Sequence, residues 1–183
     1  MSDVHKGDAQ TSSHPTFSTA IDLLLVIDTV TLLERYPATN EESAPVSVDS
    51  SFCYCFAPGK KQIVASNDGT LAVKAPPGTD LRLRWSPLSL RGERIILLDI
   101  SLSDNEILGP IAQHVDERAS LFMPQFTSSG TIDEPTKRIA PDIFWKTKMI
   151  APGAVEAHIN ARIMGRDAHV LGNFFWDLRL TLD

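Results

Sequence analysis

The sequence predicts an all-β protein: an antiparallel β-sandwich, immunoglobulin-like or jelly-roll-like, with one or two short helical turns. Three observations carry that prediction. Several segments alternate apolar and polar residues with period two, the spacing of a half-buried strand. Turn signals recur about every 8–12 residues, and twelve prolines punctuate the chain. Helical periodicity is nearly absent. The 183 residues, 43% hydrophobic and 22% charged, suit one domain able to bury a real core without metals or disulfides.

Residues 1–18 are polar, rich in Ser, Thr, His and Asp, and read as a disordered arm carrying His5 and His14; the folded domain is expected over 19–183. "AIDLLLVID" (20–28) is a short apolar run, expected as a strand buried on both faces. Thr31 and Glu34 fit a capping box, and Leu32, Leu33 and Tyr36 share one side of a helical turn that Pro37 ends. Loop follows to Val46. "SFCYCFA", "QIVASN" and "TLAVKA" are short extended pieces separated by turns at "PGKK" and "NDG". In "LRLRW", Leu81, Leu83 and Trp85 oppose Arg82 and Arg84. In "ERIILLDISLS", Ile96, Leu98, Ile100 and Leu102 form one face.

Residues 103–140 mix turn signals at "SDN", "LGP", "SSG" and "EPT" and read as a long loop insertion. "DIFWKTKMIAPG" returns to extended structure. "VEAHINARIM" sets Val155, Ala157, Ile159, Ala161 and Ile163 against Glu156, His158, Asn160 and Arg162. After "GRDA", the closing "HVLGNFFWDLRLTLD" places Phe174, Trp176, Leu178, Leu180 and Leu182 on one face, with Gly172 suited to a bulge.

Charge and motifs exclude more than they assign. The net charge is −6 and Lys60-Lys61 is too short for a basic patch, so no nucleic-acid partner is expected. The most apolar run, "IDLLLVI", is far shorter than the ~20 residues that span a bilayer, so no membrane partner is expected. Cys53 and Cys55 read as two reduced, partly buried thiols rather than a strained C-x-C disulfide. With no signal peptide visible, they point to the cytoplasm. Phosphate-loop, nucleophile-elbow, dinucleotide, zincin and EF-hand motifs are absent, so no catalytic, cofactor-binding or metal residue is assigned and no cofactor is expected.

What remains are single residues. His158 and His169 flank the final turn, and with Glu156 or Asp167 they would approximate a metal site; as solvent-face residues of a hairpin they need no metal. Asp22 and Asp28 bracket the first strand on one face, either as an acid–base pair or in structural roles. Trp85 and Trp176 lie on apolar strand faces and read as core, while Trp145 is less determined. Phe122 and Phe126 with Trp145 would line a ligand surface if the 103–140 segment is a binding loop.

Three stretches in order resemble the AidA/PixA family of bacterial proteins. "IDLLLVIDTVTLLERYP" is similar to its opening strand, turn and Y-P. "APPGTDLRLRWSPLSLRGERIILLDI" is similar to its middle segment, and "GNFFWDLRLTLD" to its closing strand. The likeness covers roughly residues 20–183. It departs at Val30, where the family usually has an acidic residue, and at Gly78-Thr79-Asp80, where a Gly-Asp turn is usual. The resemblance implies a non-enzymatic cytoplasmic protein that accumulates as inclusion bodies, self-associates, and is expressed at high cell density under quorum control or in host-associated bacteria. A carbohydrate or small-ligand module of lectin type is the alternative expectation, because sandwich folds host many lectins.

Overall fold

The computed structural model describes residues 20–37, 39, 41–42, 44–57, 63–65, 70–89 and 92–183. The predicted arm with His5 and His14, the Lys60-Lys61 pair and the turns at 58–61 and 67–69 lie outside these described residues. Along the chain run β1 (Ala20–Ile27), α1 (Thr29–Arg35), β2 (Val46–Ser47), a 3₁₀ turn (Ser50–Phe52), β3 (Cys53–Phe56), β4 (Ile63–Ala65), β5 (Thr70–Val73), β6 (Asp80–Pro87) and β7 (Arg94–Leu102). They are followed by β8 (Ala112–Asp116), β9 (Ser120–Phe126), β10 (Ile132–Ile139), β11 (Asp142–Lys148), β12 (Gly153–Gly165) and β13 (Val170–Leu182). The all-β class is borne out, with one short α-helix and one 3₁₀ turn among the described residues.

Two sheets share one core. The first runs β3-β1-β6-β11-β8; the second runs β4-β5-β13-β12-β7, with β2 also beside β13. Their apolar faces meet: Leu23, Leu25, Ile27 and Leu81 of the first sheet and Leu71, Ile159, Ile163, Phe174 and Leu182 of the second are all essentially solvent-free. The long β12–β13 ladder is the spine of the second sheet. It pairs Gly153 with Leu182 at one end and Ile163 with Gly172 at the other, before Met164 pairs with Val170. That register shift leaves Leu171 as the extra residue, so the bulge falls where Gly172 allowed it. At the other end, Gly153 is at φ +150°, and a Cβ there would sit 2.5 Å from Ile107 Cδ1; only glycine fits.

Four expectations are corrected. The sheets are not purely antiparallel: β1 runs parallel to β6, and β13 runs parallel to both β2 and β5. The chain crosses to the other sheet between these neighbours and re-enters in the same direction. β1 is buried on one face only; Ile21, Leu23, Leu25 and Ile27 are inside while Leu24 is exposed, because no described element covers the outer face of this sheet. The helix cap is Asp28 rather than Thr31: its carboxylate accepts from Thr31 N (3.1 Å) and Thr31 Oγ1 (2.8 Å), so α1 begins before the predicted box.

The fourth correction is the largest. Residues 103–140 are not a loop but contain β8, β9 and β10. β8 pairs with β11, and β9 pairs with β10. Ala140 N donates to Ala119 O (2.9 Å), so the two ladders join end to end as one ribbon. Among the described residues, its outer part, from Ser120 to Ile139, has no second layer on either face.

Candidate functional site

The residues singled out from sequence do not assemble into one centre. His158 stands opposite Asp177 in the β12–β13 ladder, its Nδ1 2.5 Å from the Asp177 carboxylate. His169 instead bonds Asp167 within the turn, and this contact holds the Asp167 carboxyl below its ordinary range. Glu156 lies opposite Arg179. Among the described residues no three His, Cys, Asp or Glu side chains converge to hold a metal ion. Asp22 and Asp28 do not pair either: Asp28 caps α1, and Asp22 accepts from arginines. Cys53 and Cys55 are free. Burial, aided by the neighbouring Cys55, pushes the Cys53 thiol up to about 12, and burial pushes Cys55 to about 11. Both therefore stay protonated at neutral pH and are poor nucleophiles.

The aromatics part ways as well. Trp176 is buried in the core. Trp85 and Trp145 turn inward and donate their indole N–H groups to Ile96 O (2.8 Å) and Leu98 O (3.1 Å) of β7. Trp145 thus belongs to the sheet–sheet junction, while Phe122 and Phe126 stand on the ribbon in water. The ligand surface expected from these three residues does not form.

Sequence reading missed a charged array on the outer face of the first sheet. Arg84 grips Asp142 through Nε (2.8 Å) and Nη2 (2.6 Å) and reaches Asp22 with Nη1 (2.5 Å); Arg82 also bonds Asp22 (2.7 Å). The guanidinium of Arg84 lies 4.8 Å from the Phe144 ring centre, and Phe144 stacks on His114. Lys146 pairs with Asp80 alongside (2.7 Å). Hydrogen bonds from Arg84 hold Asp142 below its ordinary value of 3.8, and Lys146 does the same for Asp80. The signal in the sequence was the Arg82/Arg84 alternation, which puts two cations on one face and requires carboxylates beside them.

This array contributes modestly because its members are about one-third exposed. Arg84→Met is expected to cost about 1 kcal/mol at neutral pH. A depressed carboxyl stabilises the fold above its unfolded pKa and loses that contribution as pH falls through its folded value. The gap between wild type and Arg84→Met should therefore be full at pH 6–7 and close below about pH 4. Urea titrations at both pH values measure this; a gap that persists in acid would remove the ion pair as its cause.

The described residues give no structural explanation for the ribbon. By register, Phe122, Phe126, Ile132 and Ile139 lie on one of its faces together with Ser120 and Lys137. The four apolar residues are 66%, 66%, 81% and 76% exposed. Leu121 and Met123 occupy the other face with Gln125, Asp133, Thr136 and Arg138. An isolated two-stranded hairpin is marginal in water, and a contiguous exposed apolar face of this kind marks an interaction site. A separate depression of ≈ 460 Å³ lies on the outer face of the second sheet, with Asp99, Asn160, Arg162 and Asn173 among its lining. Arg162 there bonds Asn173 Oδ1 (3.2 Å) and pairs with Glu42.

Comparison with known proteins bears on the whole of this architecture. The PixA family, described as inclusion body protein, matches residues 19–182. The crystal structure of an inclusion body protein (PixA) from Burkholderia cenocepacia J2315 superposes with a TM-score of 0.70 at 17% identity, covering 90% of this chain and 95% of that one. A cysteine protease inhibitor of Entamoeba histolytica aligns at a TM-score of 0.27 and 10% identity, over 62% of this chain and 86% of that one, too slight a likeness to carry weight. No curated protein matches. The opening strand, the β6–β7 segment and the closing strand that carried the resemblance in sequence all fall inside the matched span, and the chain belongs to the PixA family of inclusion body proteins.

Proposed function

We propose that this is a non-enzymatic, self-associating inclusion-body protein of the AidA type, cytoplasmic, and active in bacteria at high cell density or in association with a host. We place it on a β-sandwich of immunoglobulin-like or jelly-roll-like kind. The observation that carries the reading is the ribbon Ser120–Ile139, which presents an apolar face that no other described residue covers. A protein that accumulates in dense bodies must hold copies together, and an uncovered β-ribbon supplies both apolar area and unpaired main-chain groups for that purpose. Family membership supports the inclusion-body part.

Light scattering coupled to size-exclusion chromatography across a concentration series tests it. Mass that rises with concentration is the expected result, and shortening the ribbon to a turn between Ala119 and Ala140 should return the protein to monomer. A strict monomer at every concentration overturns the reading. It would shift weight to a carbohydrate or small-ligand module, whose one supporting observation is the polar depression by Asp99 and Arg162; a glycan array run with and without calcium then decides that alternative.

A further inference from the structure

We infer that the free edge of β10 pairs with β10 of a second copy, antiparallel, about a twofold axis at Thr136. The inference rests on the self-association reading and names its contact. β10 reads Ile132-Asp133-Glu134-Pro135-Thr136-Lys137-Arg138-Ile139. Its charges invert about its own centre, with two acids before Pro135 and two bases after Thr136.

Such a strand is complementary to itself only when reversed. The register shift between Asp133 and Thr136 gives Glu134 and Pro135 a single place in the strand. Antiparallel pairing centred on Thr136 therefore sets Asp133 opposite Arg138 of the second copy on one face and Glu134 opposite Lys137 on the other, and twofold symmetry makes every such contact twice. Parallel pairing would set acid beside acid and base beside base, which is destabilising directly across a ladder.

Nothing among the described residues answers these charges. β9 carries no charged residue. Across the β9–β10 ladder Lys137 faces Phe122, Arg138 faces Leu121 and Asp133 faces Gln125. No ion pair among the described residues involves any of the four. All eight residues of β10 are exposed, and among the described strands only β9 pairs with it. Edge charges ordinarily keep strands apart; here their order admits one partner and one direction. Pro135 supplies no N–H at the centre, so main-chain bonding is interrupted there and the flanking charge pairs set the register. The result is a four-stranded sheet in which Phe122, Phe126, Ile132 and Ile139 of both copies share one apolar face.

Charge reversal on the full chain tests this, read by sedimentation or light scattering over a dilution series. One variant joins Asp133→Lys with Glu134→Lys; the other joins Lys137→Glu with Arg138→Glu. Each alone is expected to weaken self-association about tenfold or more, since like charges then meet across the axis. Mixing the two in equal amounts should restore association to within about threefold of wild type, as should a chain carrying all four changes. The positions are exposed, and circular dichroism checks that each variant folds. If wild type associates but the reversals leave it unchanged, or the mixture stays dissociated, β10 is not the contact and the inference is overturned while self-association stands. The inference falls equally if the ribbon instead captures a different protein or a vesicle surface. A wild type monomeric throughout overturns the parent reading itself.

Discussion

A chain ending at Leu171 is expected to be insoluble, and Phe174→Ala alone to lower stability by about 3–5 kcal/mol. The reason is the position of β13. It is the central strand of the second sheet, bonded to β12 on one side and to β2 and β5 on the other. Removing it takes a hydrogen-bonding partner from three strands at once, splits the sheet in two, and takes Phe174, Trp176, Leu178, Leu180 and Leu182 out of the core. Phe174 is completely buried, so its truncation leaves a cavity whose lining cannot collapse without shifting both sheets. Against a total stability of about 5–15 kcal/mol, a loss of this size threatens folding at physiological temperature. Urea denaturation of Phe174→Ala gives the number, and solubility of the truncated chain gives the stronger test. Soluble, cooperatively melting protein without residues 172–183 would show that the β12–β7 pair and the first sheet suffice.

The same strand shows what is legible in a sequence. β12 and β13 alternate clearly because one face of each meets the core and the other meets solvent, and period two is the record of that difference. β9 and β10 leave no such record: both their faces meet water, so selection for burial never imposed a pattern, and the "SSG" and "EPT" signals suggested loop. β11 is legible as extended in "DIFWKTKMIAPG", but the facing of Trp145 is not. Trp145 turns inward to β7 while its neighbour Phe144 turns outward beneath Arg84, so large aromatics on both faces mask the alternation. The charged array was illegible because it depends on register. Arg84 lies 62 residues from Asp22 and 58 from Asp142, and only the parallel β1–β6 pairing beside the antiparallel β6–β11 pairing brings the three together. The helix cap was misplaced by three residues because Asp28 and Thr31 both suit the role; the β1 backbone that ends at Ile27 decides in favour of Asp28.

Replacing both Trp85 and Trp145 by leucine is expected to cost about 4 kcal/mol, through lost packing and two lost hydrogen bonds. β7 is the outermost strand of its sheet, so one side of its backbone has no strand beside it. Ile96 and Leu98, two residues apart, aim their carbonyls the same way, and each accepts an indole N–H from the facing sheet. The tryptophans therefore fill the sheet–sheet junction with their rings and cover the edge with their donors. Single Trp→Phe variants keep most of the packing and should cost only about 1 kcal/mol each, the value of the hydrogen bond. The two sites are diagonal neighbours in the β6–β11 ladder, so the double variant is expected to fall short of the sum of the singles. Thermal and urea melts of the two Trp→Phe variants, the two single Trp→Leu variants and the double separate ring from donor; equal, negligible losses for Phe and Leu would refute the edge-covering role. The contrast with β10 gives this test its functional weight. β7 is an edge the fold closes from within, while β10 is one it leaves open with self-complementary charges. In the double leucine variant, new aggregation through the uncovered β7 should ignore the charge reversals that govern pairing through β10, and the two routes of assembly become separable in one set of measurements.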